Sequence, residues 1–213
     1  MRGDGFIGFI EAGAPGEGKV VFVREDLQAV VCPPESGARW GLGATGRSVA
    51  WLERPEGARR DRIVTVREID PELTACPTSV RQRILTGEVD RDIGVHLTNT
   101  HALWFERSPA LYVNRVHRWA FADPRAESPE IYRPPQSVSG VAVDMVTAGD
   151  VVVFVRYRPQ PAPRYSFEFV PSGLATYVEP LADVRRPSLS PHYFMWAENQ
   201  RNPAWEVRYA RLP

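Results

Sequence analysis

What most constrains this chain is the interruption of short alternating apolar runs by proline and glycine, of which 213 residues carry 20 and 16. Proline cannot donate to a β-ladder and is confined to strand edges, strand starts and bulges, so few strands here can be both long and central. Within the runs, Tyr165, Phe167 and Phe169 fall on one face of an extended segment and Ser166 and Glu168 on the other. Such alternation predicts half-buried antiparallel sheet. The expected fold class is mostly β.

Five extended segments are expected before residue 70: Phe6 to Glu11, Val20 to Arg24, Gln28 to Cys32, Ser48 to Arg54 and Arg62 to Ile69. They make a domain over residues 1–70, the size of a small five-stranded barrel, with the glycine- and proline-rich link 33–46 read as a loop. Residues 71–87 are read as a linker and one short helix. Ser79 and Gln82 can form a capping box, Val80, Ile84 and Leu85 a stripe, and Gly87 a stop. Residues 88–213 then read as a second antiparallel β module, punctuated by proline-rich stretches at 123–135, 159–164 and 185–191. No tandem repeat of propeller or solenoid period is evident.

The opening stretch, residues 5–31, sets two apolar runs around a glycine-rich bend and has two readings. As a hairpin, its pieces Ile7-Gly8-Phe9-Ile10 and Val21-Phe22-Val23-Arg24 resemble the paired aromatic motifs of the cold-shock domain, an oligonucleotide-binding (OB) fold. The resemblance runs on through Gly46-Arg47-Ser48-Val49 and covers about the first 70 residues. It implies single-stranded RNA or DNA as partner, with Phe9 and Phe22 as stacking platforms and Arg24 and Arg47 as phosphate contacts. A stacked base contributes on the order of 1 to 3 kcal/mol, whatever its identity. The same alternation also fits Phe6, Phe9 and Phe22 as plain core residues.

As strand, loop and helix, Gly13-Ala-Pro-Gly16-Glu-Gly18-Lys19 resembles the Walker A loop, whose amides and lysine cradle phosphate. Val20 stands where a magnesium-binding hydroxyl belongs, and Val20 to Val23 make a poor first helical turn. A phosphate site at Gly13, Gly16, Gly18 and Lys19 is thus the alternative reading.

Twenty-six basic and 26 acidic residues cancel, so no global field steers the chain toward a polyanion. Cys32 and Cys76 lack metal-ligand spacing and are read as buried thiols of a reducing compartment. With no apolar run long enough for a membrane span, a cytoplasmic protein is expected, or one assembled in the cytoplasm into a larger particle. His96 and His101 point to opposite faces of an extended chain, and Asp144, Asp150 and Glu168 sit in no acid-base context. No catalytic residue, metal or cofactor is assigned. The leading functional expectation is non-enzymatic binding of single-stranded nucleic acid. The alternative is a structural or interaction subunit, such as a phage virion component or a partner-blocking protein, docking through the aromatic-rich C-terminal module around Trp196, Trp205 and Tyr209.

Overall fold

The computed structural model describes residues 2–3, 6–11, 19–24, 26, 29–32, 38–70, 72, 74–76, 80–85, 89, 94–106, 115–123, 130–131, 141–158, 164–170, 175–177, 183–190, 192–199 and 205–211. These form nineteen strands in five antiparallel sheets, and no helix occurs among them. Each sheet is a meander in chain order.

The first sheet is β1 (Arg2–Gly3), β2 (Phe6–Glu11), β3 (Lys19–Arg24) and β4 (Ala29–Cys32). The second is β5 (Ala38–Thr45), β6 (Ser48–Arg54), β7 (Arg62–Val66) and β8 (Val80–Ile84). The third is β9 (Val95–Leu97), β10 (His101–Glu106), β11 (Arg115–Ala120) and β12 (Glu130–Ile131). Then come β13 (Val141–Ala148), β14 (Val151–Arg158), β15 (Arg164–Val170) and β16 (Ala175–Tyr177). The fifth sheet has three strands, β17 (Asp183–Leu189), β18 (Tyr193–Asn199) and β19 (Glu206–Arg211).

The chain divides into two compact units, Met1–Arg107 with Arg115–Ile131, and Ser108–Asn114 with Tyr132–Pro213. In the first unit the second sheet is covered on both faces. Val49, Trp51, Val64 and Val66 pack with Val20 and Phe22 of the first sheet, while Ala50, Leu52 and Ile63 pack with Val95, Trp104 and Trp119 of the third. This is why β6 is buried along nearly its whole length, where a one-sided sheet would alternate. In the second unit Val153, Val155 and Phe167 meet Val184 and Phe194 of the fifth sheet.

Several expectations are corrected. Among the described residues of 1–70 no closed barrel forms, because β1 to β4 make one sheet and β5 to β7, joined by β8 beyond them, belong to another packed against it. The expected helix is strand β8, paired to β7 from Val66↔Val80 to Arg62↔Ile84. Its supposed stripe splits, since Ile84 is 68% exposed and Leu85 is buried. The proposed capping and stop residues, Ser79 and Gly87, lie outside the described residues. Residues 38–45, read as loop, are strand β5, and their glycines serve close packing. Gly41 and Gly94 both adopt positive φ, and a Cβ on Gly41 would lie 2.6 Å from the Gly94 Cα. The proline-rich stretch at 185 holds strand β17, with Pro187 placed where the register to β18 breaks between Arg185 and Ser188, as the missing donor requires. Cys32 and Cys76 are not free thiols but a disulfide with a Cα separation of 5.5 Å, tying β4 to the segment after β7.

Candidate functional site

The residues singled out in the opening stretch are placed as follows. Phe22 is fully buried in the core between the first and second sheets, so it is packing and offers no platform to a base. Phe9 lies in β2 opposite Val21, and its side chain lies outside the described residues. Arg24 reaches the Glu72 carbonyl at 3.0 Å and Asp26 at 3.0 Å, and Arg47 donates to the Ile69 carbonyl at 2.7 Å. Both arginines thus tie down the segment after β7. Lys19 opens strand β3 opposite Glu11, so the helix a Walker A loop must open is absent. Gly13, Gly16 and Gly18 lie outside the described residues.

The richest polar cluster was not marked by any sequence motif. Glu53 on β6 is buried, and its carboxylate takes Arg62 Nη2 on Oε1 at 2.6 Å and both Trp51 Nε1 at 3.1 Å and Arg39 Nε at 3.3 Å on Oε2. Burial pushes this carboxyl upward, but the bonds from Arg62 and Trp51 and the charges of Arg39 and Arg62 prevail and hold it below its ordinary value. A buried carboxylate with this many donors stays ionised. It fixes the guanidinium of Arg62, whose Nη1 also donates to Gln82 Oε1 on β8 at 2.7 Å.

Above this network the β6–β7 turn and β8 enclose a shallow depression of about 350 Å³, lined by Pro55, Ala58, Arg59, Arg60, Arg62, Gln82 and Ile84. Arg59 and Arg60 are exposed, and among the described residues neither is engaged by a carboxylate. Neighbouring Arg54 is held by buried Asp61 at 2.7 Å. The depression therefore presents two unneutralised guanidinium groups beside an apolar side chain, with a rigid third arginine at its base. It contains no nucleophile, paired acid and base, or metal-ligand set, and among the described residues no group of three or more metal-ligating side chains occurs. Its lining offers guanidinium donors that an anionic group can accept from, beside an apolar side chain.

A second polar pair lies in the third sheet. His117 stacks on Trp104 with ring centroids 5.4 Å apart, and its Nε2 meets the Glu106 carboxylate. His117 is buried, which makes this pair structural. Likewise Glu168, fully buried, binds Arg156 at 2.5 Å.

No family model and no curated protein sequence matches the chain. Among solved structures it is similar to TolB from Acinetobacter baumannii, at 10% identity and a TM-score of 0.58 over 97% of this chain and 50% of that one. A prolyl endopeptidase structure matches with a TM-score of 0.56 at 10% identity, over 98% of this chain and 33% of the other. The β-propeller domain of the Trilobed protease from Pyrococcus furiosus matches with 0.54 at 9% identity, over 98% and 78%. The chain thus spans half the length of the TolB it matches and a third of the endopeptidase. At such identities the likeness is one of fold. It sets the successive meanders among β-propeller-like folds and overturns the oligonucleotide-binding, cold-shock-like barrel.

Proposed function

We propose that the chain is a non-enzymatic protein-interaction module whose docking site is the arginine-rimmed depression of the second sheet, and that its partner presents an acidic, extended segment carrying an apolar side chain. One observation carries the reading. Arg59 and Arg60 stand unneutralised beside Ile84, which is 68% exposed although it is a large aliphatic residue. Arginine is over-represented among binding hot spots, and the exposed Ile84 beside it leaves apolar surface for a partner to bury. The chain's zero net charge makes such a local patch the source of any attraction for acidic partners. The Cys32–Cys76 disulfide favours an oxidising compartment for this role over the cytoplasm.

The test is fluorescence anisotropy with a labelled Glu/Leu-rich peptide, a Lys/Leu-rich peptide of the same length and a single-stranded RNA oligonucleotide. Saturable, salt-sensitive binding of the acidic peptide that is lost in Arg59→Glu/Arg60→Glu is expected. Equal binding by that variant, or binding of the RNA alone, would overturn the proposal.

A further inference from the structure

The fifth sheet has three strands where the other four have four, and among the described residues no strand lies on the outer side of β19. Such an edge offers a row of backbone donors and acceptors to another chain. Of the usual protections this strand carries charged side chains, Glu206, Arg208 and Arg211, but lacks the others. Glu206–Arg211 contains no proline or lysine, and its ladder to β18 runs without a bulge from Tyr193↔Arg211 to Glu198↔Glu206. On the face shared by Tyr193 and Met195, β19 presents Val207 at 74% and Tyr209 at 71% exposure.

We infer that β19 pairs with β19 of a second copy of this chain, antiparallel across a two-fold axis that passes through Val207. Two-fold symmetry lets directly opposed residues come only from the same face, and the strand's own charges choose among the remaining registers. Centring on Glu206 would set glutamate against glutamate, and centring on Arg208 would set arginine against arginine. Centring on Tyr209 would put Val207 against Arg211 and Arg208 against Ala210, with no ion pair. Only the Val207 register places Glu206 opposite Arg208 of the partner twice, and Trp205 opposite Tyr209 of the partner twice. Within one copy Glu206 and Arg208 already meet at 2.8 Å, and both are exposed, so the pair can form across strands by side-chain rotation alone. Opposite charges and aromatic pairs are the combinations that stabilise facing strands.

Sedimentation equilibrium of the whole chain tests this. A concentration-dependent dimer is expected. Glu206→Arg and Arg208→Glu, each at an exposed position and verified as folded by circular dichroism, should each weaken dimerisation by about tenfold, since each creates two like-charge oppositions. The Glu206→Arg/Arg208→Glu double variant should restore the dimer. An equimolar mixture of the two single variants should form heterodimers, because arginines on one strand then face glutamates on the other. A monomer at every concentration, or a dimer indifferent to these exchanges, would overturn the inference.

Discussion

Trp51 donates its indole N–H to Glu53 at 3.1 Å, two residues along the same strand. The fifth sheet repeats the relationship at the same distance with Trp196 and Glu198. The second strand of every sheet carries this spacing of an aromatic and a charged residue: Phe9 and Glu11, Trp51 and Glu53, Trp104 and Glu106, Phe154 and Arg156, Trp196 and Glu198. Four of the charged members are matched by a partner: Glu53 by Arg39 and Arg62, Glu106 by His117, Arg156 by Glu168, and Glu198 by the Trp196 indole. In the second, fourth and fifth sheets this charged residue, Glu53, Arg156 or Glu198, is buried, so the charge there must bring its partner with it.

Glu53→Gln should therefore be costly. It keeps the shape but leaves Arg39 and Arg62 without their shared negative charge in a site where the Arg39 side chain is 6% exposed. Removing one member of a buried ion pair costs about 3 to 5 kcal/mol, which urea denaturation of the variant beside the parent will measure.

Acid should act through the same residue. The Glu53 carboxyl titrates below its ordinary value near 4.5, so the folded state holds the proton less tightly than the unfolded chain. Its contribution to stability is complete above the unfolded value and fades as pH falls below it, through the depressed folded value. Chemical denaturation across this range should show the loss in the parent, and a shallower one in Glu53→Gln.

Reduction should loosen the first unit. Cys32 and Cys76 close a loop of sequence separation 44, for which chain entropy gives about 4 kcal/mol. Cys32→Ser/Cys76→Ser should lower the melting temperature, and dithiothreitol should lower that of the parent but leave the variant unchanged.

Gly94→Ala should destabilise far more than an ordinary surface change. The residue has a φ of +78°, and its added methyl would fall 2.6 Å from the Gly41 Cα. Left-handed strain and a backbone clash together cost on the order of 3 kcal/mol. Gly57→Ala, also at positive φ but with nothing within 4 Å of the new methyl, should cost only the strain. Thermal denaturation of the two variants separates the contributions.

Ile84→Ser should leave stability within about 0.5 kcal/mol, because the side chain is largely in solvent. In the anisotropy assay it should nonetheless weaken the acidic peptide, which distinguishes an apolar contact at the docking site from simple charge attraction.

The amino-acid sequence by itself determined the class and the placing of most strands. Period-two alternation and proline punctuation are local properties, and they located β2, β3 and β6 to within a residue or two. It did not reveal five successive meanders, since the aromatic and charged pairs recur at 9, 51, 104, 154 and 196 with unequal intervals, and unequal loops erase a fixed period. Nor did it distinguish a ring facing solvent from a ring facing another sheet. Phe22 alternates in either case, and only the packing of the second sheet against the first turned it inward. The tertiary structure alone decided that the glycines of β5 serve a backbone crossing, that Cys32 and Cys76 meet, and that Arg59, Arg60 and Ile84 share one depression. Each of these joins residues distant in sequence or on different strands, and such proximity is set by how sheets pair and stack, which no local pattern records.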